Sequence, residues 1–158
     1  MDLMEYSGIL EVLKKFIKAR DRTSAEVRSF LISKGFTHEI VSEFLENALD
    51  SGLVSDRRVI ENSLELGVNV KKKGLNKIQE ELLQRGLPED KITEKMGEVS
   101  GDVVRSNCKE LFQKKIRNKS PGSKEMKNCI LWLMQKGYEE EMIFSIIRES
   151  GISIEWEE

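Results

Sequence analysis

Apolar residues recur at helical spacing along most of the chain, and the pattern is clearest over residues 24–49. Val27, Phe30 and Leu31 lie on one face of a first helix, and Gly35 follows at a position typical of a helix end. The next helix carries a longer apolar stripe, which consists of Ile40, Val41, Phe44, Leu45, Ala48 and Leu49. The stretch therefore predicts two short amphipathic helices joined by a tight turn.

Polar residues mark the starts of these two helices. Thr23 and Glu26 have the spacing of a capping box, in which side chains satisfy the free amides of the first turn. Thr37 is placed to cap the second helix, with Glu39 in its first turn. Both helices are therefore expected to begin at defined residues.

The helix pair occurs three times, and Gly35, Gly86 and Gly137 mark a period of 51 residues. Other positions keep the same register: Val27, Ile78 and Cys129; Leu31, Leu82 and Leu133; Phe36, Leu87 and Tyr138; Val41, Ile92 and Ile143; Leu45, Met96 and Ile147; and, upstream, Ile9, Ile60 and Leu111. A sustained period of this length indicates a structural repeat. We predict an all-α fold of three tandem three-helix, helix-turn-helix-like repeats, which occupy residues 1–53, 54–101 and 102–158.

An upstream helix completes each repeat, which gives about nine helices. In the second repeat this helix is expected to end at Gly67, because glycine often follows the last helical turn. In the third repeat, residues 113–124 predict a linker, because residues 120–123 read Ser-Pro-Gly-Ser, which is typical of a turn. The third repeat also carries an acidic C-terminal tail.

Composition narrows the class of protein. Charged residues make up 34% and aromatic residues 6%, which favours helices with thin cores and charged faces. The sequence has no apolar run of about 18 residues and no N-terminal secretion signal, so we expect a cytoplasmic protein without a membrane span. Cys108 and Cys129 fall in helical patterns, and we expect small buried thiols rather than a disulfide.

Charge is distributed unevenly along the chain. Residues 1–70 carry a net −3, residues 71–127 carry 15 basic and 9 acidic groups for a net +6, and residues 128–158 carry −5. The basic middle indicates a polyanion or an acidic protein surface as partner, and solvated helix faces are the alternative. The candidate partner- or DNA-binding residues lie at its connectors: Lys71, Lys72, Lys73, Lys77, Lys114, Lys115, Arg117 and Lys119.

The sequence contains no motif typical of a catalytic or metal-binding site. The one histidine, His38, falls in the first turn of a predicted helix, where a surface or capping role is expected. One histidine and two separated cysteines do not make a zinc motif, and no phosphate-binding glycine loop is present. We therefore predict no catalytic, cofactor-binding or metal-binding residues and a protein that is not an enzyme.

Helix pairs of this kind also suggest helix-turn-helix units that read the major groove of DNA. The predicted second helices argue against that interpretation in two of the three repeats. Residues 38–50 carry four carboxylates and no lysine or arginine, and residues 139–149 carry four carboxylates and one arginine. Phosphates repel such helices.

The motifs and their order resemble RecX, the bacterial family of regulatory proteins that act on the recombinase RecA. The first matching stretch is residues 20–28, Arg-Asp-Arg-Thr-Ser-Ala-Glu-Val-Arg, followed by Leu31 and Lys34-Gly35-Phe36. The other matches are Gly52-Leu53-Val54-Ser55-Asp56, Lys73-Gly74, Ile78, Glu81-Leu82, Gly86-Leu87 and, more loosely, Leu133, Lys136-Gly137-Tyr138 and Ile143. Three positions depart from the family: Val59 replaces the usual aromatic residue, and Glu65-Leu66 replace basic residues.

The resemblance implies a function and a shape. RecX proteins have three such units in an elongated, curved molecule, bind in the groove of the RecA filament on single-stranded DNA, and commonly inhibit its recombinase, ATPase and coprotease activities. The implied setting is DNA repair, DNA recombination and the SOS response. We expect a monomer that makes weak direct contact with DNA and has no cofactor and no membrane partner. An autonomous nucleic-acid-binding protein and a helical adaptor for an unrelated protein are the alternatives.

Overall fold

Helices form the whole regular structure of the part of the chain that the computed structural model describes, which is residues 1–117 and 120–154. The helices are α1 Leu3–Ala19, α2 Ser24–Ser33, α3 His38–Ser51, α4 Asp56–Asn69, α5 Leu75–Gln84, α6 Glu89–Met96, α7 Gly101–Lys115, α8 Ser123–Gln135 and α9 Glu140–Glu149. The predicted all-α fold is confirmed, and the helices follow the predicted repeats three by three, except that α7 begins at Gly101, one residue before the predicted third repeat.

The chain folds into two compact units. The first contains Met1–Asn62 and Leu82–Ile92, and the second contains Ser63–Glu81 and the chain from Thr93 onward. Helices α4, α5 and α6 are therefore each divided between the units. The division of the chain into three repeat domains stays a prediction.

The first unit is built on the helix pair that dominates the sequence pattern. Thr23 and Glu26 form the predicted capping box of α2, and the Thr37 hydroxyl accepts a hydrogen bond from the Ile40 amide at the start of α3. Helix α2 packs on α1 and α3. The core of the unit consists of Ile9, Leu13, Val27, Leu31, Val41, Phe44, Leu45, Ala48 and Val54.

The 51-residue register holds in the second helix of each repeat. Leu31, Leu82 and Leu133 are 0%, 1% and 0% exposed, as expected for equivalent core positions. Val27 and Cys129 are buried in the same way. The period read from the sequence therefore reports which face of these helices points inward.

The register fails in α7, where Leu111 is only partly buried. The buried residues of α7 are instead Cys108 and Phe112, at 0% and 1% exposure, which correspond to Ile9 and Leu13 of α1. The α7–α8 connector has seven residues, 116–122, whereas the α1–α2 connector has four, 20–23. The three additional residues explain why the inward face of α7 lies three residues earlier than a constant period requires.

The expectation that Gly67 ends a helix is wrong. Helix α4 continues to Asn69, and Gly67 lies inside it, buried. A Cβ atom at this position would lie 2.7 Å from Cδ1 of Ile78, which is closer than side chains approach. The glycine is thus required by close packing of Ile78 against the helix backbone, not by a turn.

Two junctions between successive repeats use the same backbone position. In the first unit, the Thr23 hydroxyl donates to the carbonyl oxygen of Arg85 at 2.9 Å. In the second unit, the Gly74 amide donates to the carbonyl oxygen of Lys136 at 2.8 Å. Positions 23 and 74 differ by one period, and so do positions 85 and 136. Equivalent positions are therefore joined in both units, through a side-chain hydroxyl in the first and a backbone amide in the second.

Candidate partner-binding surface

The basic connector between α4 and α5 is held by backbone hydrogen bonds within the second unit. Lys72 has a left-handed backbone, with φ of 51°, and its carbonyl oxygen accepts a hydrogen bond from the Tyr138 hydroxyl at 2.6 Å. The Lys73 amide donates to the Gly67 carbonyl at 2.8 Å, and the Gly74 amide is bound as described above. Burial raises the pKa of Tyr138, so the phenol remains a donor at neutral pH. The connector is therefore a fixed loop.

Two candidate segments that are distant in sequence meet at one carboxylate. The Lys72 ammonium lies 2.6 Å from Oε2 of Glu110, and the Lys114 ammonium lies 3.1 Å from Oε1 of the same residue. The pKa of Glu110 is lowered, first by the hydrogen bond from Lys72 and then by that from Lys114. We call Lys72, Glu110 and Lys114 the basic cluster, because a single carboxylate lies between two cations.

Two other candidates take different positions in the same unit. Lys73 pairs with Glu81, with 2.8 and 3.0 Å between its ammonium and the two carboxylate oxygens. Lys77 is partly buried in the first turn of α5, where its backbone lies against Gly137. Among the described residues, the structure therefore places neither side chain in the basic cluster.

Two of the remaining candidates, Lys115 and Arg117, lie at or just after the end of α7. Arg117 is exposed, and its Nε donates to the Lys114 carbonyl oxygen at 3.3 Å. Lys115 lies with its ammonium 5.0 Å from the ring centroid of Trp132, a residue that the sequence analysis did not select. Lys119 lies outside the described residues. Lys71 is exposed on the α4–α5 connector.

Sequence reasoning also missed an arginine network in the first unit. Nη2 of Arg85 donates to Glu26 at 2.9 Å and to the Asp21 carbonyl oxygen at 2.7 Å. Burial opposes ionisation of Glu26, but hydrogen bonds from Thr23 and Arg85 prevail and lower its pKa. The capping-box spacing identified Glu26 in the sequence, whereas no local pattern indicates its pairing with Arg85, 59 residues away.

The two cysteines are buried thiols, as predicted. Cys108 and Cys129 are free and 0% and 1% exposed. Burial raises the pKa of each thiol to about 11, so almost no reactive thiolate exists at neutral pH.

Residues 1–117 and 120–154 contain no group of three or more His, Cys, Asp or Glu residues arranged to hold a metal ion. None of the helices in this part of the chain combines the length and the apolar character needed to cross a membrane.

Curated relatives share the sequence pattern over most of this chain. A regulatory protein RecX from Oceanobacillus iheyensis is 27% identical over 136 residues, which cover 85% of this chain and 50% of the relative. A regulatory protein RecX from Clostridium tetani is 27% identical over 139 residues, covering 85% and 63%. The chain thus spans about half to two thirds of the length of these relatives. No protein-family model matches the chain.

Solved structures share the fold. A crystal structure of regulatory protein RecX superposes with a TM-score of 0.77 at 18% identity and covers 91% of this chain and 72% of that one. The crystal structure of RecX from Lactobacillus salivarius gives the same TM-score at 19% identity, with 92% and 94% covered. At such identities the likeness describes the helical architecture alone.

Proposed function

We propose that this chain, which is similar to curated RecX regulatory proteins, regulates RecA by binding the RecA filament on single-stranded DNA and inhibiting its recombinase, ATPase and coprotease activities. We infer a non-catalytic protein that acts as a monomer in the cytoplasm, where recombination and SOS repair take place. It contacts DNA directly only weakly. A chain of helical repeats suits this role, because weak contacts along an extended surface add through effective concentration.

The basic cluster carries the proposal. Lys72 and Lys114 are 42 residues apart in sequence, and both pair with Glu110. Lys71, Lys115 and Arg117 lie close in sequence to these two lysines and are exposed. The single carboxylate of Glu110 does not balance all of these positive charges, so the surface is net positive. Such a surface attracts the phosphates of the filament or acidic groups on the recombinase.

Autonomous groove binding has weaker support. Helix α3, the counterpart of a recognition helix, exposes Glu39, Glu43, Glu46 and Asp50. A helix with this charge is repelled by DNA phosphates. The basic surface belongs instead to a connector and a helix end, which suits binding to a filament better than insertion into a base-pair groove.

A charge-removal experiment tests the proposal. Two variants, Lys71/Lys72/Lys73→Ala and Lys114/Lys115/Arg117→Ala, are compared with Lys14/Lys15/Lys18→Ala, which removes three exposed charges from α1 in the first unit. Alanine and lysine pay a similar cost at the left-handed position 72, so the change mainly removes charge. Circular dichroism checks that all three variants keep their helicity.

The measurement is affinity for cognate recombinase assembled on labelled single-stranded DNA, together with inhibition of its ATPase. We expect the two basic variants to bind more weakly and the α1 control to bind like the parent. Each lost phosphate contact should reduce the log–log salt slope by about 0.7 on a single strand. If neither basic variant loses more than about twofold, this surface is not the binding surface, and α3 becomes the better candidate. ATP hydrolysis by the chain without recombinase would contradict the non-catalytic assignment.

A further inference from the structure

The side chain of Trp132, on α8, lies beside two lysines at the surface of the second unit. The ammonium groups of Lys115 and Lys136 lie 5.0 and 5.2 Å from its ring centroid. Lys115 is exposed, and Trp132 and Lys136 are partly exposed. We propose that Trp132 is a stacking site for a base of single-stranded nucleic acid, with Lys115 and Lys136 binding the adjacent phosphates.

The first repeat shows what this position does when an aromatic partner is available. Phe30 and Lys34 occupy the positions of Trp132 and Lys136, two periods earlier, and Lys34 lies 5.4 Å from the Phe30 ring centroid. There the Phe30 ring stacks on Phe16, with ring centroids 4.2 Å apart and planes 8° from parallel. Helix α1 thus supplies a flat ring to this position.

Helix α7 supplies a lysine at the same place. The buried residues Cys108 and Phe112 match Ile9 and Leu13, and continuing that match pairs Phe16 with Lys115. Among the described residues, no ring stacks on Trp132 as Phe16 stacks on Phe30. The third repeat therefore offers an indole face beside a flexible cation where the first repeat has a ring stack.

A base on a single strand fits this arrangement by its chemistry. Every base has a flat π face that stacks on tryptophan, and a strand places a phosphate on each side of it. A partly exposed cation–π contact is weaker than stacking of a base, so Lys115 can move from the ring to a phosphate.

The inference rests on the proposed function for its ligand, the single strand of the filament, but its test uses DNA alone. The chain has two tryptophans, so the test is made in a Trp156→Phe background, where Trp132 is the one fluorophore of its kind. The probe is an oligothymidylate of about eight nucleotides, titrated at low salt. A matched oligomer with abasic sites carries the same phosphates without bases.

Stacking predicts saturable quenching of Trp132 by oligothymidylate and much less by the abasic oligomer. Trp132→Leu should weaken binding, measured by anisotropy of labelled DNA, by about 5- to 150-fold, and Trp132→Phe should retain part of it. Lys115→Ala/Lys136→Ala should weaken binding more than Lys124→Ala/Lys127→Ala, which removes two exposed charges from the same helix.

Three results would overturn the inference: equal quenching by the abasic oligomer, unchanged affinity of Trp132→Leu, or equal losses in the two double-lysine variants. Binding of recombinase without DNA that depends on Trp132 would assign the surface to protein instead. Filament binding that still depends on the basic cluster would leave the proposed function standing while the stacking site fails. If filament binding did not depend on the basic cluster and DNA did not stack on Trp132, the proposed function and the stacking site would both be rejected.

Discussion

Replacing the turn glycines by alanine should separate two contributions to the loss of stability: the strain of a left-handed backbone and the steric collision at a contact between repeats. Gly35, Gly86 and Gly137 occupy one position of the repeat, and their φ angles of 98°, 85° and 102° are all left-handed. A Cβ on Gly35 meets no described atom within 4 Å, whereas one on Gly137 would lie 2.5 Å from the Lys77 amide nitrogen. The same substitution therefore meets the same backbone penalty at both sites and a steric collision at only one.

The magnitudes follow from these two effects. The left-handed conformation costs alanine about 1–2 kcal/mol, which is the whole effect expected for Gly35→Ala. Overpacking against backbone adds about 1–3 kcal/mol, so Gly137→Ala should lose about 2–5 kcal/mol. Gly86→Ala should resemble Gly137→Ala, because its Cβ would lie 2.7 Å from the Cβ of Ala25.

The assay is urea unfolding followed by circular dichroism, with equal slopes required before free energies of unfolding are compared. A double variant makes the steric part visible: Ala25→Gly removes the atom that Gly86→Ala strikes, so the two changes should be less harmful together than their sum by about 1–3 kcal/mol. The steric contribution of the repeat junctions would be refuted if the three glycine variants lost the same free energy of unfolding within about 0.5 kcal/mol and the effects of Ala25→Gly and Gly86→Ala were additive.

Two further predictions concern the core and the arginine network. Leu82→Ala should destabilise the protein by about 2–5 kcal/mol in urea, because Leu82 is 1% exposed; a loss below about 1 kcal/mol would contradict its place in the core. Glu26→Gln should be less stable than the parent at neutral pH, because the lowered pKa of Glu26 means that the folded state favours the carboxylate. That difference is present above the ordinary glutamate pKa of about 4.5 and should disappear as the pH falls below it through the folded-state value; a difference independent of pH from 7 to 3 would contradict the pairing with Arg85.

The inward-facing positions of the helices were predictable from the sequence, because they depend on local packing. Leu31, Leu82 and Leu133 were identifiable because a helix with one buried face must repeat apolar residues at its own period. Gly67 was misread because a glycine that ends a helix and one that admits a neighbour look alike in sequence. Only the position of Ile78 distinguishes them, and that contact depends on how α4 and α5 pack.

The candidate surface was predictable in composition but not in geometry. The excess of lysine over residues 71–127 identifies a basic region, but a charge count does not show which cations are paired. Lys73 is paired with Glu81, and Lys72 and Lys114 share Glu110. The Lys114–Glu110 pair is local to α7, with its partners four positions apart, whereas the Lys73–Glu81 and Lys72–Glu110 pairs join side chains 8 and 38 residues apart and depend on the tertiary fold.

Trp132 shows how one change of residue type alters a surface without altering the repeat around it. A constant period aligns Phe16 with position 118, whereas the buried faces of α1 and α7 align it with Lys115. The three additional residues of the α7–α8 connector account for this difference in numbering. Where the first repeat stacks Phe16 on Phe30, the third repeat has Lys115 beside Trp132, and a surface aromatic with two lysines is an arrangement that single-stranded nucleic acid binds. Replacement of one stacked ring by a cation can thus turn a structural position of a repeat into a binding position while the core residues on either side stay buried.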